Sequence, residues 1–443
     1  MKDLTKGSPG KVILWFAIPV ALGQLFQLFY NMADTRIVGT FLGDASLAAI
    51  GATTTMVDLL TGFMMGAANG FAVISARFYG AGDERRLRKV FAGSLLLGIS
   101  IALLLTVLSL IFLTPLLHLI RVPVRHRAEA GGYLGIMVAG LVFTAFYHLF
   151  AAILRSIGDA VTPLLFLIVS VFLNIGLDLL LIGGFGMGVR AAAVATVLSQ
   201  GISALVCFLY LWRKYPFLHI QKEDFVLEAG LLKELLAGGC SMGLMNSLIA
   251  IGSVVLQSAI NGFGTAIIVA HAAARKLSNL FMTPYIVLGT TMATYTSQNY
   301  GAGDRKRVEE GLKKSMLYGA LWSGIVLVIT YLFAGDMARL LTDTRTTQII
   351  ETAHLYLKID TLFYLLLVPI FILRNSLQGL GDRRTPVFSS GIEMAGKVIA
   401  AFTLSRLFGY MGIILTEPLT WIFMVIPLII SMKKRLSQSE IEV

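Results

Sequence analysis

Tyr79-Gly80-Ala81-Gly82-Asp83 closes one long apolar run, and 221 residues later Tyr300-Gly301-Ala302-Gly303-Asp304 closes another. A second pair keeps nearly the same register: Gly158-Asp159-x-x-Thr162-Pro163 recurs as Gly381-Asp382-x-x-Thr385-Pro386, at an offset of 223. Phe41-Leu42-Gly43 and Gly262-Phe263-Gly264 precede the second and eighth runs at matching places. Signatures repeated in order at one spacing mark a duplicated chain. A helix needs about 20 apolar residues to cross about 30 Å of hydrocarbon. Runs of that kind lie at 11–34, 45–76, 90–113, 131–154, 162–183 and 188–212, then at 231–260, 265–296, 311–333, 353–377, 386–407 and 410–432. Each copy thus holds six spans, an even number, so both copies enter a bilayer with the same polarity. The expected fold is an all-α integral membrane protein of twelve transmembrane helices. Two six-helix bundles would be related by a pseudo-twofold axis along the membrane normal, with a central cavity. The division is an N-terminal lobe at 1–218, a cytoplasmic linker at 219–230 and a C-terminal lobe at 231–443.

Composition agrees. Of 443 residues, 14% are charged and 56% hydrophobic, with a mean hydropathy of +0.80. A soluble domain carries roughly a quarter charged residues to cover its wet surface. This chain cannot do so, which excludes a soluble enzyme, a disordered protein and a nucleic-acid module despite the net charge of +11. Two cysteines, Cys207 and Cys240, exclude a disulfide scaffold or a cysteine-ligated metal. The polar N-terminus lacks the layout of a cleavable signal, so the first run is expected to stay in the membrane. Basic residues stay on the cytoplasmic side. With the N-terminus inside, 24 of the 36 Lys and Arg fall on inner segments and eight on outer ones: Arg36, Arg121, Arg125, Arg127, Arg190, Arg339, Arg345 and Arg406. Both termini are therefore expected in the cytoplasm, the charge facing the anionic inner leaflet. The expected location is the cell membrane of a bacterium or archaeon.

Polar residues inside spans need a reason, since a carboxylate at mid-bilayer costs at least about 2.5–3.5 kcal/mol. Asn174 and Asp178 are four apart on the fifth span, hence on one face. They lie about 18 and 24 Å from its cytoplasmic end near Thr162, while Thr196 lies about 12 Å in from the opposite side. Asp34 ends the first span. All four fall in the outer half of the first bundle. Two carboxylates, an amide oxygen and a hydroxyl suit a hard monovalent cation such as Na⁺, or a proton shared between acids. In the second half Val255 replaces the duplicate of Asp34. Arg275, Glu393, Lys397 and Glu417 form a candidate second-lobe polar network, in which Glu393 and Lys397 stand four apart as a helix-face ion pair.

The repeated signatures resemble those of the multidrug and toxic compound extrusion (MATE) family, over essentially the whole chain. The likeness begins at Lys11-x-x-x-x-Phe16-x-Ile18-Pro19 and runs through Asp34-x-x-x-Val38-Gly39-x-x-x-Gly43. The Tyr-Gly-Ala-Gly loops and the Gly-Asp-x-x-Thr-Pro lead-ins complete it. The resemblance implies a secondary active antiporter that exports amphipathic, cationic organic compounds in exchange for H⁺ or Na⁺ by alternating access. It implies a cation site at Asp34, Asn174, Asp178 and Thr196, with a backbone carbonyl from Ala192, and a conformational hinge at Pro19. The expected partners are small organic substrates and the lipid bilayer, without nucleic acid. No cofactor is expected beyond the coupling ion, and a monomer suffices.

Two other carrier classes fit the sequence less well. A major-facilitator protein also has twelve spans, but its loops carry a second glycine that is missing after Asp83 and Asp304. A flippase for lipid-linked saccharides needs several cavity cations, of which Arg275 and Lys397 are the only hints. An enzyme is not expected, because no reactive constellation is present, and the absence of a Walker motif excludes ATP as the direct energy source.

Overall fold

The computed structural model describes residues 3–120, 122–342 and 346–437. Arg121 and Arg345, two of the outer basic residues, lie outside them. The described chain is helical throughout, with no strand, and each of the twelve apolar stretches coincides with a helix.

The first two stretches form one helical run, Pro9–Gly80, of 72 residues. At 1.5 Å per residue this is about 108 Å, more than three times the hydrocarbon core, so it is two spans joined without a loop. The join is Gly43, with φ of 78° and ψ of −178° inside the run, a conformation that side chains with a Cβ rarely adopt. Glu84–Ile111 follows. The fourth stretch is a bent pair, Val124–Ala139 and Leu141–Ser156, kinked by 46°. Then come Val161–Asp178 and Arg190–Lys214. The second half runs through Ala229–Ile260, Thr265–Gly301 and Arg305–Thr342, a second bent pair, Thr347–Leu362 and Tyr364–Gly379 at 43°, then Arg384–Phe408 and Tyr410–Ser437. Helix Thr265–Gly301 is long enough to cross a bilayer but more polar than its neighbours.

The burial pattern is that of a protein whose outer solvent is oil. Phe29, Met32, Ile111 and Phe172 are exposed by 65–71%, whereas Asn174, Asp178, Asp360 and Gln298 are completely buried. In water this order would be reversed.

The chain divides into two compact units: Ile18–Leu244, and Leu4–Ala17 with the residues from Met245 onward. In the first unit Phe71, Phe91, Phe150, Ile153 and Leu154 head the main core. There the second span meets the start of Ala229–Ile260 backbone to backbone. A Cβ on Gly70 would lie 2.4 Å from the Gly238 carbonyl oxygen, and one on Gly66 2.5 Å from that of Met242. Small residues permit such an approach in membranes. Gly70→Ala is expected to lower the melting temperature by an overpacking penalty of about 1–3 kcal/mol. An unchanged melt by tryptophan fluorescence would contradict the close contact. In the second unit Leu4 is buried, and its carbonyl accepts from Asn299 Nδ2 at 3.2 Å and Arg307 Nη2 at 3.1 Å.

The repeated Gly-Asp-x-x-Thr-Pro segments are helix caps. Asp159 accepts from the Thr162 N–H at 3.1 Å, Thr162 Oγ1 at 2.7 Å and the Tyr215 hydroxyl at 2.6 Å. Asp382 accepts from the Arg384 and Thr385 N–H groups at 3.0 Å, Thr385 Oγ1 at 2.7 Å and Ser431 Oγ at 2.6 Å. Each thereby satisfies helix-start donors and ties its lead-in loop to a second element. Burial alone would lift both carboxyls, but these hydrogen bonds outweigh it and hold them below the usual range. A depressed carboxyl stabilises the fold fully above its unfolded value of about 3.9, and the effect fades as pH falls through the folded value. Melting temperature is therefore expected to drop below about pH 4, and Asp382→Asn to flatten that drop. An Asp382→Asn melt as acid-sensitive as the wild type would contradict the assignment.

Candidate functional site

Within the first unit, three helices bring together the four polar residues singled out from the sequence. Asp34 lies in the run Pro9–Gly80, Asn174 and Asp178 on Val161–Asp178, and Thr196 on Arg190–Lys214. Pro163 starts the fifth span where its missing N–H costs nothing, and the i, i+4 spacing then aims Asn174 and Asp178 the same way. Asn174 and Asp178 are wholly buried and Thr196 is 6% exposed. The Asp34 and Asp178 carboxyls lie close enough to interact directly. With its nitrogen turned to Asp178, the Asn174 amide donates to Asp178 Oδ2 at 3.1 Å and accepts from the Thr196 N–H at 3.3 Å. That N–H is the ordinary helical donor to the Ala192 carbonyl. Ala192 is buried one helical turn before Thr196.

Two further residues complete the site. Tyr30 shares a hydrogen bond of 3.2 Å with Thr196 Oγ1, and Tyr133, buried on the fourth span, lies within electrostatic reach of Asp34 and Asp178. Tyr30 was legible as the residue four before Asp34 on one helix face; nothing in the sequence pointed to Tyr133. The neighbouring core is apolar: Val38, Met137, Ile182, Val189, Ala191 and Ala193 form one cluster with Tyr133 and Ala192. One oxygen of each acid, Asp34 Oδ1 and Asp178 Oδ1, is buried without a hydrogen-bond partner. Buried carboxylate oxygens without donors are costly, and both are available to a small cation. The donor set is all oxygen, and among the described residues no cluster of three or more His, Cys, Asp and Glu stands ready for a metal.

The helix past Asp178 widens into a π-helical stretch, Leu179–Gly184, a distortion frequent at functional sites. Pro19 sits inside the first run, where it removes the helical hydrogen bond to Trp15. It stands next to the point, between Ala17 and Ile18, at which the chain passes from the second unit to the first.

In the second unit, Arg275, Glu393, Lys397 and Glu417 join one network. Arg275 Nη1 donates to Glu417 Oε2 at 2.7 Å, and Lys397 Nζ to Glu393 Oε1 at 2.9 Å and Ser253 Oγ at 3.1 Å. Lys397 also lies 3.7 Å from Glu417 Oε1. Of two further members, one was not foreseen, and the other, Asp360, is read from the sequence as lying on the tenth span close to its outer end. Arg374, counted from the sequence with the cytoplasmic loop, lies in helix Leu367–Gly379, is 4% exposed and stands 3.7 Å from Glu393. Asp360 is wholly buried and accepts from Ser278 Oγ at 2.5 Å and the Tyr364 hydroxyl at 3.1 Å. His271 is a packed core residue, bonded through Nδ1 to the Tyr410 hydroxyl at 3.0 Å.

A family model described as MatE matches residues 19–180 and again 242–403, two copies whose starts are spaced like the repeated lead-ins. The probable multidrug resistance protein YoeA of Bacillus subtilis is 27% identical over 91% of this chain and 88% of its own length. An FAD transporter of Shewanella oneidensis is 24% identical over 96% of this chain and 95% of its own. A crystal structure of MATE in the bent conformation matches with a TM-score of 0.88 at 24% identity, covering 98% of both chains.

Proposed function

Because the chain belongs to the MatE family, we propose that it is a secondary active exporter. It expels amphipathic, cationic organic compounds across the cell membrane in exchange for inward-moving H⁺ or Na⁺. The segments 1–218 and 231–443 act as its two lobes, joined by 219–230, with both termini in the cytoplasm. The observation that carries this reading is the pair Asp34 and Asp178, facing each other beside an apolar cluster, each with one unpartnered oxygen.

Two like charges in that setting repel strongly, so the pair without its cation is unstable in its closed arrangement. Uptake of a cation removes the repulsion and lets the helices bearing Asp34 and Asp178 close up; its loss drives them apart. Asn174 and Thr196 orient the acids, and the first run bends at Pro19. Alternating access follows when cargo and cation each favour a different arrangement. H⁺ and Na⁺ can each take these oxygens, H⁺ by bridging the two carboxyls and Na⁺ by coordinating both.

The flippase reading loses its only support, since Arg275 and Lys397 are both engaged by carboxylates. The test is export from proteoliposomes under separately imposed H⁺ and Na⁺ gradients, with organic cations and FAD as cargo. Cargo movement under one gradient alone identifies the ion, and movement under neither contradicts the proposal.

A further inference from the structure

The repeat register shows what the second unit holds where the first has its acids. Counted from the threonine of each Gly-Asp-x-x-Thr-Pro segment, Asn174 is twelve residues beyond Thr162, and Lys397 is twelve beyond Thr385. Both helices then pass into π-helical stretches, Leu179–Gly184 and Ala400–Leu404. Lys397 is therefore the counterpart of Asn174. By the same register Ala401 stands for Asp178, and by the 221-residue register of the Tyr-Gly-Ala-Gly loops Val255 stands for Asp34. The duplicate has lost both acids and gained an amine.

The surroundings of that amine match the donor set of the first unit. Lys397 is 3% exposed, and its Nζ faces Glu393 Oε1 at 2.9 Å, Ser253 Oγ at 3.1 Å and Glu417 Oε1 at 3.7 Å. Two carboxylates and a hydroxyl around one positive charge repeat the two carboxylates and hydroxyl around the first-unit site. Ser253 lies two residues from Val255, so the oxygens come from the spans that correspond to those of the first site. The charge count closes as well. Arg275, Arg374 and Lys397 oppose Glu393 and Glu417, with Arg275 held by Glu417 and Arg374 by Glu393, while Asp360, bonded to Ser278 and Tyr364, lies within electrostatic reach of Arg275. Such a cluster is balanced without any ion from solution, and a further cation would leave it unbalanced in a low dielectric.

We propose that the Lys397 ammonium is a tethered, permanently resident cation that fills in the second unit the place an exchangeable cation takes in the first. The second unit therefore exchanges no ion during transport, and the coupling ion is handled by the first unit alone. This inference rests on the cation-site reading of Asp34 and Asp178, and it adds the specificity residue that makes the two copies unequal.

Removing the amine converts the resident site into an exchangeable one. The experiment uses the full-length protein in nanodiscs with Asp34→Asn as background, to silence the first site, and reads thermal melting in Na⁺, ethylammonium or choline chloride. Asp34→Asn alone is expected to respond equally to all three salts. Lys397→Ala added to it leaves a surplus carboxylate and a vacancy the size of the lysine stem. Na⁺ and ethylammonium are then expected to raise the melting temperature by a few degrees over choline, saturably. Lys397→Gln keeps most of the side-chain volume and serves where the alanine variant does not fold; its expected response is to Na⁺. If neither double variant distinguishes these salts better than Asp34→Asn alone, the inference is overturned. A failure of the first-site reading looks different: Asp34→Asn by itself would then keep the wild-type response, whatever Lys397 does.

Discussion

Asp178→Asn is expected to reduce gradient-driven export to the level of empty liposomes while leaving a folded, monodisperse protein. The substitution keeps the shape of the side chain and its contact with Asn174, but it removes the charge whose neutralisation drives the change of state. Asp34→Asn is expected to do the same, because either change leaves a single carboxyl with no partner charge to repel. The effects should not add: a double variant is no worse than either single one, as for two members of one functional unit. Thr196→Ala makes the contrast. It deletes one neutral hydroxyl, worth about 0.5–1.5 kcal/mol, so it should shift the cation dependence by about tenfold or less. Wild-type export by either asparagine variant would contradict the coupling scheme. Size-exclusion chromatography of the same samples separates lost coupling from lost folding.

Glu417→Gln is expected to be the most destabilising single change in the second unit. Glu417 is 7% exposed and faces both Arg275 at 2.7 Å and Lys397 at 3.7 Å. Neutralising it leaves the buried Lys397 and Arg374 and the half-buried Arg275 against two carboxylates, and breaking a buried pair costs up to about 3–5 kcal/mol. The loss should be recovered largely by removing the opposing charge too. Arg275→Met with Glu417→Leu leaves Arg374 and Lys397 balanced by Glu393 and Asp360. A double-mutant cycle on the melting free energies is expected to show a coupling of about 2–3 kcal/mol. Glu417→Gln melting with the wild type would show that the network carries no such charge balance.

Much of this architecture was readable in advance. Twelve apolar runs of bilayer length survive in the structure because hydrocarbon imposes one length and one backbone solution on every crossing. The duplication was readable because its capping carboxylates, Asp159 and Asp382, do the same local work in each copy. In the first site, the spacing of Asn174 and Asp178 set their common face, and depth along two helices placed Thr196 beside them. What stayed hidden depends on packing between elements. The absence of a loop at Gly43 was not readable, since glycine before an apolar run usually marks a turn. The docking of Leu4–Ala17 in the second unit was not readable either, because an apolar pattern records that a face is covered and not what covers it. Tyr133 reaches the acids only through the packing of its helix, and Arg374 meets Glu393 through the packing of two separate helices.

Displacement of the coupling cation by cargo tests the central claim most directly. Purified protein is titrated with an organic cation in weakly buffered solution, proton release being followed with an indicator dye and sodium release with a radioactive tracer. The account predicts that cargo expels a cation from the wild-type protein, and that Asp34→Asn and Asp178→Asn bind cargo without expelling any. Equal release by the wild type and both variants would place the exchangeable cation elsewhere and contradict the account.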